Sequence, residues 1–144
     1  DPSQAVVWYR KLVDGGNEKF LDYLIDVYEE MGDYREAIML YEKQASQGNT
    51  SALNQLAYIY AQGKGVNKDF DKALSYIDKA ISLAPDDIDY QDSKGEILVM
   101  KGDINKAKKV WKTINTRQPF YYQNWIKEHG HEPPFYSYMK ANGN

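Results

Sequence analysis

Apolar side chains recur at helical spacing in one segment after another along this chain of 144 residues. The stretch FLDYLIDVYEEM places Leu21, Leu24, Ile25 and Tyr28 on one face of a helix, and SALNQLAYIYAQ and DYQDSKGEILVM show the same period. This pattern predicts an all-α protein. We expect its helices near residues 3–14, 18–31, 34–47, 51–62, 69–83, 87–101, 104–115, 119–128 and 134–141.

Four of the helical segments align with one another. They read PSQAVVWYRKLVDGG, GDYREAIMLYEKQASQG, DFDKALSYIDKAISLAP and GDINKAKKVWKTINTRQP. Each places an alanine one helical turn ahead of a large side chain, in the pairs Ala5/Tyr9, Ala37/Tyr41, Ala73/Ile77 and Ala107/Trp111. At this spacing the alanine admits a neighbouring helix and the larger side chain fills the next turn. The alanines lie 32, 36 and 34 residues apart, a period typical of stacked helix pairs.

A glycine-bearing turn separates the two helices of each complete pair: Gly32-Asp33, Gly63 to Asp69, and Gly102-Asp103. We expect the glycine to adopt the left-handed conformation that ends one helix, and the aspartate to cap the next. The glycine-rich stretch AQGKGVNKDFDKA is therefore interpreted as a corner between helices. A phosphate-binding loop would need a preceding strand and a Lys-Ser/Thr pair, whereas Gly65 precedes Val66.

The pattern L-x-x-x-Y-x-x-x-G-D-Y-x-x-A-x-x-x-Y from Leu24 to Tyr41 resembles the tetratricopeptide repeat (TPR) family. Residues 45–84 resemble more closely the bacterial Sel-like variant, through L-A-x-x-Y-x-x-G-x-G-V-x-x-D-x-x-x-A beginning at Leu56. The resemblance covers about residues 2–119 and implies a right-handed α-α superhelix, or solenoid, of antiparallel helix pairs. The residues expected to pack the repeats together are Ala5, Tyr9, Leu24, Tyr28, Gly32, Ala37, Tyr41, Leu56, Tyr60, Ala73, Ala80, Gly95, Gly102, Ala107 and Trp111.

The resemblance also divides the chain, taken as a single repeat domain over residues 1–144. We expect a half repeat at 2–16, a repeat at 17–49, a Sel-like repeat at 50–85, a repeat at 86–118 and a C-terminal cap at 119–144. The first helix resembles the second member of a pair, which suggests a longer parent protein or an abbreviated cap. The aromatic C-terminal segment is expected to cover the apolar face of the last repeat. Rings left exposed for a partner or a carbohydrate, or a helix exchanged between protomers, are the alternatives.

The composition of the chain excludes several classes of protein. The net charge of −3 argues against a nucleic-acid binder that relies on a basic surface. The chain has no cysteine, hence no disulfide framework or thiolate site, and no apolar run approaches the roughly 20 residues of a membrane span. We therefore expect a soluble protein without membrane insertion, for which the bacterial cytoplasm or periplasm would both be suitable.

The densest group of potential metal ligands is Glu128, His129, His131 and Glu132. The histidines lie two positions apart, not four as on a zinc-binding helix, and Gly130 interrupts the helix between them. We interpret the group as a solvated helix end and expect no metal and no cofactor. Acidic residues such as Asp22 and Asp26 lie on a polar helix face, where solvated carboxylates are ordinary, so no catalytic residue is assigned and no enzyme is expected.

The resemblance to TPR proteins implies that the first helix of each pair lines a concave groove. Matching positions place in that groove Asp22, Asp26, Glu29, Asn54, Tyr58, Gln62, Asp92 and Glu96. The groove would be acidic at both ends, with amides and a tyrosine at its centre. TPR proteins that hold the C-terminal carboxylate of chaperones use basic residues and asparagine there. The aspartates would repel such a carboxylate, so a basic or neutral ligand is expected.

The function most consistent with these features is a non-enzymatic scaffold that binds a protein or peptide in a shallow acidic groove. The alternative is a homo-oligomeric assembly or spacer unit of a larger repeat protein, in which the half repeat and the aromatic C-terminus stack head-to-tail. A metal-binding or enzymatic protein centred on His129 and His131 is the third hypothesis.

Overall fold

The architecture is a series of helices, each of which packs mainly on the next one along the chain. The computed structural model describes residues 1–142. Its elements are α1 (Pro2–Asp14), a 3-10 turn (Glu18–Phe20), α2 (Leu21–Glu30), α3 (Tyr34–Ser46), α4 (Thr50–Gln62), α5 (Phe70–Leu83), α6 (Ile88–Lys101), α7 (Ile104–Arg117), α8 (Tyr121–His129) and α9 (Pro134–Asn142). Over the described residues the protein is thus an all-α helical repeat array, as expected.

Every expected helix is present, and most ends differ from the prediction by one or two residues. The start of α2 differs because residues 18–20 form a 3-10 turn and the helix has no side-chain cap at Phe20. Pro134 begins α9, whereas Pro119 lies in the turn before α8. Within residues 1–142, none of the helices combines the length and the apolar character needed to cross a membrane.

The turns inside the pairs follow the expected chemistry with one exception. Gly32, Gly63 and Gly102 all have positive φ, at 73°, 70° and 86°. The Asp69 carboxylate accepts from the Lys72 N–H at 2.9 Å, and Asp103 caps α7 in the same way at 3.4 Å. The prediction that aspartate caps each second helix is wrong for Asp33, which makes no side-chain cap bond.

The glycine-rich stretch AQGKGVNKDFDKA includes the corner between α4 and α5. Gly65 has a φ of 65°, and a Cβ built on it would lie 2.5 Å from the Cβ of Tyr34. A side chain at this position would therefore be strained in its backbone and would collide with α3. Gly65 therefore allows the corner to lie close to Tyr34.

The core consists of two clusters that meet at α6. The larger one draws on α2 to α5 together with Ile97, and the alanines 37, 52, 57, 73 and 80 allow its helices to approach closely. The smaller one joins α6 and α7 to the C-terminal helices. The helix pairs α2–α3, α4–α5 and α6–α7 fall inside the expected repeat ranges, but the division into repeats stays a prediction.

The residues expected to pack the repeats lie at several depths. Those that are buried are Leu24, Tyr28, Ala37, Tyr41, Leu56, Ala73, Ala80, Gly95 and Ala107. Those that are half-buried are Ala5, Tyr9, Tyr60 and Trp111, and the two turn glycines Gly32 and Gly102 are exposed. Depth falls off at the N-terminal end of the array because α1 has a neighbouring helix on one side only, and none of its residues is buried.

The C-terminal segment folds back onto the last complete pair and covers it. Phe135 and Met139 of α9 are buried, and so is Tyr122 of α8. The Phe135 ring lies directly against Gly95 of α6, where a Cβ would overlap it, and meets the edge of Trp111 at 6.0 Å. The segment is therefore a cap, as the sequence predicts; its last two residues, 143 and 144, lie outside the described part of the chain.

Candidate interaction surface

The groove residues expected from the sequence come from α2, α4 and α6, and they fall into three groups with different surroundings. Asp22, Asp26 and Glu29 belong to α2; Asn54, Tyr58 and Gln62 belong to α4; and Asp92 and Glu96 belong to α6. The acidic residues of α2 and those of α6 differ in which groups of the protein bond to them.

Asp22 and Asp26 line a cavity of about 260 Å³ between α2, α3 and the start of α4, which we term the first-pair cavity. Its wall is completed by side chains from all three helices: Ile25, Tyr41, Gln44, Asn49, Ser51, Ala52 and Gln55. The Gln44 amide donates to Asp22 at 2.7 Å. None of the lining residues is basic, so the two carboxylates are not neutralised within the cavity.

Glu29 lies further along α2 and does not line the cavity, but it reaches the same tyrosine. The Tyr41 hydroxyl donates to Glu29 at 3.3 Å. Burial raises the pKa of Tyr41, and the negative charges of Glu29, Asp26 and Asp22 raise it further. The ring that closes one side of the first-pair cavity therefore stays a neutral hydroxyl donor beside three acids.

The centre of the expected groove is partly used by contacts between α4 and α6. The Tyr58 hydroxyl donates to Glu96 at 2.6 Å, and burial together with Glu96 raises the pKa of Tyr58. The Asn54 side-chain oxygen is buried and has no hydrogen-bond partner among the described residues. Gln62 is exposed at the end of α4, next to the corner.

Two acids of α6 accept hydrogen bonds from tyrosines of the cap. We use the term α6 carboxylates for Asp89, Asp92 and Glu96. The Tyr121 hydroxyl donates to Asp89 at 2.7 Å and the Tyr122 hydroxyl donates to Asp92 at 2.9 Å. Together with Tyr58 on Glu96, each member of the group thus accepts a tyrosine hydroxyl.

Asp92 has a perturbed acidity as a result of this cover. Burial raises the pKa of Asp92 to about 7, the hydrogen bond from Tyr122 opposes the rise, and the nearby Glu96 and Asp89 add to it. A carboxyl group partly buried among acids and phenols holds its proton more tightly than one in water.

The histidines of the C-terminal segment belong to an aromatic group. His129 stacks on Trp125 with ring centres 4.0 Å apart, and His131 meets the same indole edge-on at 4.9 Å. Within residues 1–142, no three His, Cys, Asp or Glu side chains are grouped so that they could hold a metal ion. The ring contacts give both histidines a packing role at the end of α8.

Sequence reasoning missed several lining residues of the first-pair cavity. Asn49, Ser51 and Gln55 come from the start of α4, two helices later than the acids they face, and their polarity alone carries no signal. Gln44, which donates to Asp22 at 2.7 Å, was missed as well.

Comparison with known proteins supports the repeat assignment. The Sel1 repeat family matches residues 1–17 and 50–85, and the tetratricopeptide repeat family matches residues 26–46. The second Sel1 match and the tetratricopeptide match confirm the two resemblances found in the sequence. The first match is new, since it assigns α1 to the Sel1 type as well.

Two relatives show how far the similarity reaches. The chain is 30% identical over 79 residues to the ERAD-associated E3 ubiquitin-protein ligase component HRD3 of Candida glabrata. That alignment covers 55% of this chain and 10% of the relative, so the chain spans about a tenth of that protein. It is also similar to the crystal structure of a Sel1 repeat protein from Oxalobacter formigenes, with a TM-score of 0.60 and 23% identity. The structural match covers 100% of this chain and 66% of the other, and it supports the fold alone.

Proposed function

Because the chain carries Sel1-type and tetratricopeptide-type helical repeats, we propose that it is a non-enzymatic scaffold that binds a protein or peptide along the face formed by α2, α4 and α6. Stacked helical repeats present extended surfaces that suit such binding, and repeats of these two types serve as interaction scaffolds. The single observation that carries the proposal is the first-pair cavity, which is open, acidic and edged with amides.

The proposed partner carries a basic or neutral segment. Asp26 accepts no hydrogen bond and forms no ion pair within residues 1–142, and Asp22 is met only by the neutral amide of Gln44. A lysine or arginine side chain would supply the missing positive charge, while the amides of Asn49 and Gln55 suit a peptide backbone. A C-terminal carboxylate would be repelled by the same acids.

Peptide display on the purified protein, followed by calorimetry of the selected peptides, tests this proposal. We expect the selected sequences to be enriched in lysine and arginine. Asp26→Lys should weaken their binding at least about tenfold, which corresponds to about 1.4 kcal/mol. Asp33→Lys is the matched control, because Asp33 is exposed in the turn after α2 and makes no side-chain cap bond.

The control should bind within about twofold of the wild type, because Asp33 does not line the first-pair cavity and salt screens the charge of an exposed side chain. Selection of acidic peptides, or an equal loss of affinity for both variants, would contradict the proposed surface. A photo-crosslinking amino acid at Ser51, in the first-pair cavity, should also capture the peptide, whereas one at the exposed Ser75 of α5 should not.

A second candidate function is assembly, and one observation favours it. α1 leaves Val7 and Trp8 exposed at 67% and 66%, and large apolar side chains at this exposure are typical of contact surfaces. A homo-oligomer stacked through this helix would become smaller on Trp8→Glu. Sedimentation velocity across a hundredfold range of concentration tests this, because an unchanging monomer mass in the wild type would rule the assembly out.

A further inference from the structure

The first turn of α8 lies over the α6 carboxylates and is joined to them by two tyrosine hydroxyls. Tyr121 and Tyr122 are adjacent in the chain and bond to Asp89 and Asp92, which stand nearly one turn apart on α6. The two rings meet edge-on at 4.8 Å, so the pair approaches α6 as one unit. Asp92 and Glu96, which the sequence places in the groove, therefore each accept a tyrosine hydroxyl from the protein itself.

The closed α8 leaves Asp92 only partly exposed to water. The Tyr122 side chain is only 2% exposed and stacks on Trp111 at 5.0 Å, and Tyr136 of α9 lies 4.7 Å from it on centroid distance. Tyr122, backed by these two rings, forms the wall that α8 places against Asp92. If α8 moved away, the carboxyl group would face solvent and regain the acidity of an ordinary aspartate.

We propose that α8 is a pH-gated lid over the α6 carboxylates, closed while Asp92 holds a proton and opened more often once Asp92 ionises. The inference rests on the proposed function, because an open lid extends the acidic surface that a basic partner could use. A closed lid confines binding to the first-pair cavity, which α8 does not reach.

The charges around Asp92 set the direction of this switch. The groups that face it are Asp89 and Glu96 on α6, Tyr121 and Tyr122 on α8, Tyr58 on α4 beside Glu96, and Tyr136 on α9 beside Tyr122. None of them is a cation. Burial and the two neighbouring acids raise the pKa of Asp92 to about 7, against the opposing hydrogen bond from Tyr122. The closed state therefore binds the proton more tightly than the open state, and a rise in pH from 5 to 8 shifts the balance toward opening.

Hydrogen exchange of the full chain tests the lid without any partner. Amide protection of α8 would be measured at pH 5 and pH 8, corrected for the intrinsic pH dependence of exchange, with α4 as the internal reference helix. We expect the protection of α8 relative to α4 to fall at least about tenfold between the two pH values. Asp92→Asn keeps the size of the side chain and an acceptor for Tyr122, and it should remove this dependence.

Tyr122→Phe provides a second, opposite readout. Without the phenol donor the ionised form of Asp92 loses its hydrogen bond, so the transition in α8 protection should move to higher pH. The carboxyl carbon resonance of Asp92 reports the titration directly, even if exchange in a variant is altered by a change in stability. Relative protection of α8 that is equal at pH 5 and 8, or an equal fall in wild type and Asp92→Asn, would overturn the lid.

The two proposals can fail separately. Loss of peptide selectivity in Asp26→Lys reports on the first-pair cavity and leaves α8 unchanged. A lid that does not respond to pH leaves peptide binding at Asp22 and Asp26 intact.

Discussion

At the residue scale, the tyrosines explain how an aromatic-rich chain joins its helices. The chain has thirteen tyrosines, and several that place their rings in or beside the core send the hydroxyl to a carboxylate of another helix. Tyr41 on Glu29, Tyr58 on Glu96 and Tyr122 on Asp92 are three such contacts. A phenol fits this task because its ring is apolar and its hydroxyl donates strongly to a charged acceptor.

Asp92 should make stability depend on pH. Its pKa is raised from 3.8 to about 7, mainly by burial, so the native protein keeps a proton that the unfolded chain releases in this range. The contribution of this group to the free energy of unfolding is fully present below pH 3.8 and is lost as pH rises through about 7. Asp92→Asn is therefore expected to be more stable than wild type by about 1–3 kcal/mol at pH 8.

Urea denaturation at pH 4.5 and pH 8 measures this difference. The advantage of the variant should shrink toward the lower pH, where Asp92 keeps its proton in the native state of the wild type. A constant difference at the two pH values would show that the substitution acts through packing and not through ionisation.

At the scale of single elements, each helix end and each close approach depends on one or two residues. α5 begins at a capping aspartate and α3 begins at one that does not cap. α6 carries a glycine in its middle, where helix propensity alone would disfavour it. These local features lead to two predictions.

Gly95→Ala should destabilise the protein although alanine is the better helix former. In an unobstructed helix the change would stabilise by about 1 kcal/mol, but here the new methyl would overlap the Phe135 ring. Overpacking of this kind costs about 1–3 kcal/mol, so thermal unfolding should occur at a lower temperature. A Gly95→Ala/Phe135→Leu double variant is the control. Phe135→Leu should cost less stability in the Gly95→Ala protein than in the wild type. Equal costs in both backgrounds would exclude the collision.

Asp69→Ala and Asp33→Ala form a matched pair at the starts of two second helices. Asp69 accepts from the Lys72 N–H at 2.9 Å, so its removal should cost about 1 kcal/mol of the free energy of unfolding. Asp33 makes no such bond, and its removal should cost less than half as much. Chemical denaturation of both variants measures the difference, and equal costs would show that the cap bond of Asp69 contributes little.

At the scale of the whole molecule, the two hydrophobic clusters divide the stability of the array unevenly. The larger cluster contains 18 buried residues and the smaller one 8. They share α6, since Ile97 belongs to the first and Leu98 to the second. In a repeat array each unit is stabilised mainly by its neighbours. The helices of the smaller cluster are therefore expected to open before those of the larger one.

Native-state hydrogen exchange in low denaturant should show this order. We expect the amides of α7, α8 and α9 to exchange through openings that need less free energy than those of α3, α4 and α5. The reason is the smaller apolar surface that secures the C-terminal end. The result would contradict this division if all six helices exchanged only through one global unfolding step.

The sequence by itself determined the helical repeat. The alanine and large-residue pairs and the glycine turns are local signals, because a helix face and a left-handed glycine are decided by residues within one turn of each other. The period of 32 to 36 residues is the spacing at which these local signals recur. The resemblance to TPR proteins also pointed to the helices whose acids form the candidate surface. Asp33 shows the limit of such signals, since the right residue in the right position still makes no cap.

Only the tertiary structure decided which of the groove acids are open. Asp22 and Asp92 look alike in the sequence, as carboxylates on polar faces of first helices, yet one lines an open cavity and the other is covered by Tyr122 from 30 residues away. Asn49 and Gln55 line the same cavity as Asp22, which is formed between three helices. Phe135 contacts Gly95 from the last helix, α9. The approach of distant segments determines burial, and burial sets both the acidity of a carboxyl group and its access to a partner. No pattern within a single helix carries that information.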